Sequence, residues 1–403
     1  MSWENVKLGD IADFSNGINF GKEAYAKGIK LIGVSNFGNR FFPEYDELEE
    51  VKEEVVRQND LLQTGDIVFV RSNGNKELVG RCMLIDNTPA KVTFSGFCIK
   101  ARFRNQEEHD PCFWTYHFKN QGFRKAMSGT AIGANIQNLS QGRLAVYEAL
   151  VPDIHTQRRI ASILSKYDEL IENNQNQIKL LEEAVQRLYK EWFVDLRFPG
   201  YEETEIVDGM PVGWEKKAIG DAFITVLGGT PSRAKESYWN GDIPWINSGE
   251  VNSLRIVKES EFITEEGLKK SSTKLMPKHT TVLAITGATL GQVSYTEIET
   301  CANQSVVGII DEQKKYSAYL YLFVSNNIWS MIGKATGGAQ QHINKDIVNE
   351  YPIILPSEDT ILKLNSVVEP MFLKMADLYF QSIKLVEARD RLLPKLMNGE
   401  IEV

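Results

Sequence analysis

Two long stretches of the chain carry apolar residues at alternating spacings of three and four positions, which is the a/d heptad pattern of a coiled coil. The seam of the first stretch, with one polar member, is Ile160, Leu164, Tyr167, Ile171, Asn174, Ile178, Leu181, Val185, Leu188 and Trp192. The seam of the second stretch, with two polar members, is Leu364, Val368, Met371, Met375, Leu378, Ser382, Leu385, Arg389, Leu392 and Leu396. We predict two long helices, the first capped by Asp153 and the second losing its regularity at Pro394.

A narrow seam sustained over five heptads favours pairing of the two helices with each other, although Phe372, Tyr379, Ile383, Val386 and Leu393 widen the apolar face of the second. The alternative is that each helix packs only on its own domain, which is typical of a broader apolar face. Asn174 lies in the middle of the first seam, where a polar residue fixes the register at a cost in stability. Because the chain leaves along one helix and returns along the other, we predict an antiparallel coiled coil with the intervening domains at its opposite ends.

The segments that precede the two helices repeat each other. Trp3-Glu4 and Trp214-Glu215 lead at the same spacing to Leu-Gly-Asp and Ile-Gly-Asp, and a glycine-containing loop and a short strand ending in proline precede each helix. Such repetition indicates a duplicated structural unit. The predicted fold is α+β, with two similar mixed α/β domains separated by the two helices. The predicted boundaries are 1–152, 153–197, 198–356 and 357–403.

Composition places the chain in the cytoplasm and argues mildly against DNA binding by the chain alone. No signal peptide or membrane-length apolar run is visible, and the four cysteines form no CxxC pair, so we expect free thiols and no zinc site. The net charge is −9, whereas proteins that bind DNA unaided usually have a basic excess. Local basic clusters do exist, and a partner could help to hold DNA; the clusters are Lys100, Arg102 and Arg104, then Lys119, Arg124 and Lys125.

Motifs for catalysis are absent from the sequence. It contains no glycine-rich dinucleotide fingerprint and no phosphate-binding loop. Asp110-Pro111-Cys112-Phe113 lacks the second proline of an amino-methyltransferase motif, and the five histidines show no metal-ligand spacing. We therefore expect a binding protein that is not an enzyme and holds neither cofactor nor metal, rather than a self-contained methyltransferase or nuclease.

The order of motifs resembles the specificity subunit of type I restriction-modification enzymes. The strings that carry the resemblance lie mainly in the second domain and are Gly228–Ser232, Ile243–Ile246, Ile263–Leu268, Thr286–Gly291, Asn303-Gln304 and Thr336–Ile343. The first domain departs from them, since it lacks the GGTPS string and has Arg71–Asn75 where the second has Thr286–Ala288.

The resemblance implies that each domain is a target-recognition domain that reads one half of a bipartite site on double-stranded DNA. The paired helices would set the spacing and dock two modification subunits, which carry S-adenosylmethionine. Restriction subunits would supply ATP- and Mg²⁺-dependent translocation and cleavage, and no membrane would be involved. Two alternatives remain: an orphan specificity protein of a methylation-only system, and a coiled-coil scaffold unrelated to DNA.

Polar residues in the predicted loops are the candidates for base contacts, because side chains that donate and accept hydrogen bonds read the major groove. In the first domain they are Arg71, Asn73, Asn75, Lys76, Thr130, Asn135, Gln137 and Asn138. In the second domain they are Ser232, Arg233, Thr286, Thr289, Gln340, Gln341, His342, Asn344 and Lys345. For any single residue, a turn or a solvated surface position is the alternative.

Overall fold

The computed structural model describes residues 3–38, 40–72, 78–88, 90–128, 138–333 and 342–403. The chain divides into two compact units. Unit 1 comprises residues 1–171 and 384–403, and unit 2 comprises residues 172–383. Each unit therefore contains one globular part and one segment of each long helix.

Two sheets and one strand pair form the globular part of unit 1. The sheet order β2-β8-β5-β6 joins strands β2 (Ala12–Asn16), β5 (Ile67–Val70), β6 (Cys82–Leu84) and β8 (Cys98–Phe103). The sheet order β4-β3-β7 joins β3 (Tyr25–Ile32), β4 (Glu49–Val51) and β7 (Val92–Phe94), while β1 (Trp3–Lys7) pairs with β9 (Glu148–Pro152). Its helices are α1 (Leu8–Ile11), α2 (Pro111–Lys119), α3 (Gln121–Ser128) and α4 (Gln141–Ala145), followed by the long helix α5 (Ile154–Tyr189).

The core of unit 1 lies between the central strands and helix α2. Strand β5 is buried at every position because both of its faces are covered: Ile67 and Phe69 pack with helix α2, and Val68 and Val70 pack with residues of the β4-β3-β7 sheet. Helix α2 contributes Phe113, Trp114 and Phe118 to the same core. Asp110 caps this helix by accepting a hydrogen bond from the Phe113 amide at 2.8 Å, and Pro111 occupies the first turn. The string that partly matches a methyltransferase motif is therefore the start of a helix.

Unit 2 repeats this architecture, with five strands instead of four in the larger sheet and three strands in the smaller one. The sheet order β13-β20-β17-β18-β15 joins β13 (Ile224–Leu227), β15 (Arg255–Ile256), β17 (Thr281–Ala284), β18 (Val293–Thr296) and β20 (Val306–Ile310). The sheet order β16-β14-β19 joins β14 (Trp239–Ile246), β16 (Glu261–Ile263) and β19 (Cys301–Ala302). Two strand pairs complete it, β10 (Ile206–Val207) with β11 (Met210–Pro211) and β12 (Glu215–Ala218) with β21 (Pro352–Leu355). Its helices are α6 (Ile219–Ala222), α7 (Glu265–Lys269), α8 (Ser317–Gly333) and α9 (Lys345–Glu350), followed by α10 (Glu358–Met397).

The two units share a pattern of strand pairing that includes the same kind of register shift. In unit 1 the register of β3 on β4 shifts between Tyr25 and Ile29, and in unit 2 that of β14 on β16 shifts between Trp239 and Ile243. In unit 1 β1 pairs with β9, and in unit 2 β12 pairs with β21; β9 and β21 each lead into a long helix. The prediction of two similar mixed domains in an α+β chain is confirmed.

The long helices begin as predicted, but the second ends later. Asp153 accepts a hydrogen bond from the Thr156 amide at 3.1 Å and so caps α5, which continues beyond Tyr189 as a π-helical turn, Lys190–Val194. Helix α10 runs through Pro394 to Met397. The expectation that Pro394 ends its regular part was wrong, since the proline carbonyl still accepts the Asn398 amide at 3.1 Å.

The two helices run antiparallel. In unit 1, Ile160 and Leu164 of α5 share a buried cluster with Leu393 and Leu396 of α10. In unit 2, Val185 of α5 shares a cluster with the earlier α10 residues Leu364, Val368 and Met375. Among the other seam residues, Ile171, Ile178 and Leu378 are buried, and Tyr167, Leu181, Leu188, Met371, Leu385 and Leu392 are half-buried. The prediction of an antiparallel coiled coil is confirmed.

The polar seam residues have partners across the helix pair. In unit 2 the buried Asn174 donates from Nδ2 to Ser382 Oγ at 3.2 Å. In unit 1 the Arg389 guanidinium binds the Asp168 carboxylate, which also accepts the Tyr116 hydroxyl at 2.5 Å. The two residues that interrupt the second seam therefore mark its polar contacts with the first.

Across the residues that the structure describes, none of the helices combines the length and apolar character needed to cross a bilayer.

Candidate nucleic-acid interface

Three loops of unit 1 meet just after strand β5. The Arg71 amide donates to the Phe97 carbonyl at 2.8 Å, and the Arg71 carbonyl accepts the Leu139 amide at 2.9 Å. The Arg71 side chain donates from Nη1 to the Gly96 carbonyl at 3.2 Å, and Ser72 bridges to Asn138. We call this meeting point the loop junction of unit 1; it brings the predicted residues Arg71 and Asn138 together.

A shallow depression of about 320 Å³ lies at this junction and carries hydrogen-bonding groups. Its lining residues are Asn16, Arg71, Asn138, Leu139, Ser140, Gln141 and Gly142. Amides and a guanidinium are the groups that pair with base edges. Phe97, whose carbonyl binds the Arg71 amide, has 63% of its surface exposed. The junction therefore combines polar groups with an exposed aromatic ring.

Unit 2 contains the same junction after strand β17. The Ile285 amide donates to the Ser305 carbonyl at 2.9 Å, and the Ile285 carbonyl accepts the Ile343 amide at 3.1 Å. In this arrangement, the loop junction of unit 2, Thr286 follows the bonded Ile285 and His342 precedes the bonded Ile343. Thr289 turns back on Thr286, with its hydroxyl 3.4 Å from the Thr286 carbonyl.

The equivalent hydrogen bonds show which residues of the two junctions correspond to each other. Ile285 takes the place of Arg71, and Ile343 takes that of Leu139. The next residue caps the following short helix in both: Ser140 Oγ accepts the Arg143 amide at 3.2 Å, and Asn344 Oδ1 accepts the Ile347 amide at 2.9 Å. The Asn344 acceptor is thus engaged in capping, and Lys345 starts helix α9 beside it.

The other predicted residues of unit 2 that the structure describes, Ser232 and Arg233, lie on the loop before β14. The Trp245 indole donates to the Gly229 carbonyl at 3.1 Å, and the Trp239 indole donates to the Ser232 carbonyl at 3.3 Å. These two bonds hold the loop against the strand. Arg233 follows this fixed backbone and is 55% exposed in its side chain.

Two residues connect this loop to the junction of unit 2. Thr230 donates to Gln304 Oε1 at 2.6 Å, and Gln304 directly precedes Ser305, which binds Ile285. The loop and the junction therefore belong to one polar surface. Gln304, Thr230 and Phe97 were not among the predicted contacts. The first two lie in the quoted motifs, whereas only its exposure in the folded chain distinguishes Phe97.

Comparison with known proteins identifies the family of the chain. The model of the type I restriction modification DNA specificity domain matches residues 1–183 and 211–361. The chain belongs to this family. Among curated relatives, the MjaIX specificity subunit of Methanocaldococcus jannaschii is 29% identical over 301 residues, covering 72% of this chain and 68% of the relative. The HindI specificity subunit of Haemophilus influenzae is 24% identical and covers 99% of both chains.

A solved structure supports the fold. The crystal structure of the type I restriction-modification S subunit from M. genitalium superposes with a TM-score of 0.59 at 16% identity, covering 98% of this chain and 96% of that one. The match of the family model and the curated relatives confirm the predicted family and the prediction of a DNA-recognition subunit rather than an enzyme.

Several predicted contacts of this specificity subunit lie outside the described residues. They are Asn73, Asn75, Lys76, Thr130, Asn135, Gln137, Gln340 and Gln341. The described candidates gather at the two loop junctions and on the Arg233 loop. No described group of three histidine, cysteine, aspartate or glutamate side chains is arranged to hold a metal ion.

The basic side chains on and near strand β8 bind partners within the specificity subunit. Arg102 binds both oxygens of the buried Asp66 at 2.6 Å, and Lys100 donates to the Asn59 carbonyl at 2.9 Å. Burial lowers the pKa of the Lys100 amine, as it does that of Lys119, which donates to the Arg40 carbonyl. These cations are committed to internal partners, so the sequence cluster does not translate into a basic surface at Lys100, Arg102 and Lys119.

Proposed function

We propose that this specificity subunit selects the target of a type I restriction-modification complex, with each unit reading one half of a bipartite DNA sequence. The observation that carries the proposal is the repeated loop junction. The same backbone hydrogen bonds hold three loops together in both units, while the side chains on that frame differ.

Different side chains on one frame are suited to reading different half-sites. Unit 1 presents Arg71 and Asn138, and unit 2 presents Thr286, His342 and Lys345. Arginine and lysine pair with the guanine edge in the major groove and amides with the adenine edge, whereas threonine hydroxyls are less selective. A shared frame with divergent side chains therefore supports one binding geometry and two base sequences.

The helices would set the distance between the half-sites and dock two modification subunits. Their seam is buried, yet apolar residues on the other helix faces are at least one-third exposed; these are Leu170, Leu180, Leu362, Val367, Leu373 and Phe380. Exposed apolar surface on an otherwise polar helix is typical of a protein-binding face. S-adenosylmethionine would be bound by the modification subunits, and ATP and Mg²⁺ by the restriction subunits, in the cytoplasm.

The charge of the chain supports dependence on these partners. Its net charge is −9, and its β8 cluster makes internal bonds. Phosphate neutralisation dominates DNA affinity, so the modification subunits would supply many of the phosphate contacts. We expect weak DNA binding by the chain alone and strong, salt-dependent binding by the assembled complex.

Fluorescence anisotropy with labelled duplexes tests the proposal. The chain, the modification subunits and the assembled complex are titrated separately onto a duplex carrying the methylated motif and onto one with scrambled half-sites. Tight binding only by the complex and only to the motif is expected. Equal binding to both duplexes would contradict a specificity function and favour the scaffold alternative.

A further inference from the structure

The Arg233 guanidinium of unit 2 is held in one orientation by neighbours on two adjacent strands. Its Nη1 and Nη2 atoms bind the two Glu261 oxygens at 2.5 and 2.9 Å. Its centre lies 3.6 Å from the centroid of the Trp239 ring and 5.3 Å from that of Trp245. A bidentate ion pair fixes the rotation of the group, and a stacked ring fixes its plane.

The support under Arg233 is itself rigid. Trp239 and Trp245 are buried, and each donates its indole hydrogen to the backbone of the loop that carries the arginine. Gly229 lets that loop lie against its neighbour, since a Cβ there would come within 2.6 Å of the Thr273 nitrogen. The side chain is therefore ordered before DNA binds, which lowers the entropic cost of a contact.

One hydrogen-bonding edge of the guanidinium remains available. An arginine has five N–H donors, arranged so that Nη1 with Nη2 and Nε with Nη2 each form a bidentate edge. Glu261 occupies the first edge, whereas Nε makes no hydrogen bond within the described part of the chain. The side chain is 55% exposed, so an incoming group can reach the second edge.

A guanine matches that edge. Its O6 and N7 are two adjacent acceptors in the major groove, and a bidentate arginine contact to them is the commonest specific contact to a base. Adenine places a donor beside N7, and thymine presents one acceptor beside a methyl group. An isolated surface ion pair, by contrast, contributes little to stability and does not require a platform of two buried indoles.

The geometry points to Arg233 as the residue that reads a guanine in the half-site of unit 2, with Glu261 and Trp239 as positioning residues. This assignment rests on the proposed function. It adds a base identity to one half of the target and places the Arg233 loop on the same DNA-facing surface as the loop junction, to which Thr230 and Gln304 connect it.

The test is the methylated motif of cells carrying the complete system, read by sequencing that detects methylated adenine. The variants are R233K, which keeps the charge but loses the bidentate edge, and E261Q, which keeps the shape of residue 261 but loosens the arginine. The matched control is R104K, which makes the same change at an exposed arginine that pairs with Asp13 in unit 1. Thermal melting confirms that each variant is folded.

We expect R233K to relax one guanine position in one half-site by roughly 5- to 150-fold, the loss that a missing bidentate base contact produces. E261Q should relax the same position to a smaller extent. The other half-site should not change in either variant, and R104K should leave the whole motif intact.

Two outcomes would overturn the assignment. Slower methylation of all sites with an unchanged motif would mean that Arg233 binds a phosphate, and purified complexes would then lose about one unit of salt slope. An unchanged motif at an unchanged rate would mean that the ion pair is structural. In both cases the wild-type motif would still consist of two separated half-sites. A wild-type motif that is one uninterrupted sequence would contradict the proposed function itself.

Discussion

Replacing Arg255 with methionine should destabilise unit 2 strongly. The Arg255 side chain has no exposed surface and lies among the rings of Phe372, Tyr295 and Tyr321, at 3.8, 4.8 and 4.9 Å from their centroids. Its nitrogens lie 3.5 Å from Glu297 and 3.7 Å from Glu182, beyond hydrogen-bonding reach. Methionine keeps the apolar contacts with the rings but removes the buried cation that both carboxylates share.

The magnitude follows from these distances. At an effective dielectric constant of about 20, each contact is worth about 4.5–5 kcal/mol, against a desolvation cost of several kcal/mol for each buried ion. Removing one partner of a buried pair costs about 3–5 kcal/mol, because the other charge stays buried. We expect a loss in this range for R255M, and partial recovery in R255M/E297Q.

The loss should also depend on pH. Burial raises the pKa of the Glu297 carboxyl, and Arg255 opposes that rise, so the pKa should rise further in R255M. A carboxyl whose pKa is raised in the folded state destabilises that state above its folded pKa, and this cost disappears as the pH falls and the group takes up a proton. The deficit of R255M should therefore be smaller at about pH 5.5 than at about pH 8.

Urea unfolding followed by tryptophan fluorescence measures this effect, since Trp192, Trp214, Trp239, Trp245 and Trp329 all lie in unit 2. The control is R104M, which removes an exposed ion pair in unit 1. It should not change the urea concentration at which unit 2 unfolds. A deficit in R255M below about 1 kcal/mol at the higher pH, or one equal at both pH values, would show that Arg255 does not neutralise the buried carboxylates.

Three further changes have defined outcomes. N174A should cost unit 2 about 1 kcal/mol in urea unfolding, because it removes the hydrogen bond to Ser382, whereas N174L/S382A should recover that loss by replacing both partners with apolar groups; a loss that persists in the double variant would contradict this. F97A should lower the affinity of the assembled complex for its target without shifting thermal melting, since Phe97 is largely exposed; unchanged affinity would exclude a DNA contact. Inserting four residues near Asn174 adds ~6 Å of helix and should lengthen the gap between the methylated half-sites by one or two base pairs; an unchanged gap in a folded, assembled variant would show that the helices do not set it.

The repeat and the long helices could be predicted because their signals are local. Heptad spacing and the Asp153 cap lie within a few residues of one another. The partners of Asn174 and Asp168 could not be predicted in the same way, because each pairing joins positions more than 200 residues apart and depends on the register of two helices. Ser382 and Arg389, which weakened the predicted seam, provide those partners.

Charge was the least predictable property of the site. The cluster at Lys100 and Arg102 resembles a DNA-binding surface in the sequence, but tertiary contacts with Asn59 and Asp66 direct it inward. Arg255 would be taken for a surface residue, yet it is fully buried. Conversely, the Asn344 cap follows a recognisable local rule, whereas no local signal in the sequence indicates that Phe97 is exposed beside Arg71.

Exchange of the first recognition domain tests the central claim most directly. Residues 1–152 are replaced by the corresponding domain of a related specificity subunit with a known target, and the methylated motif is determined in cells with the modification subunits. We expect a hybrid motif in which one half-site comes from the donor and the other stays that of this protein. A motif in which both halves change together, or in which neither changes, would contradict the assignment of one unit to one half-site.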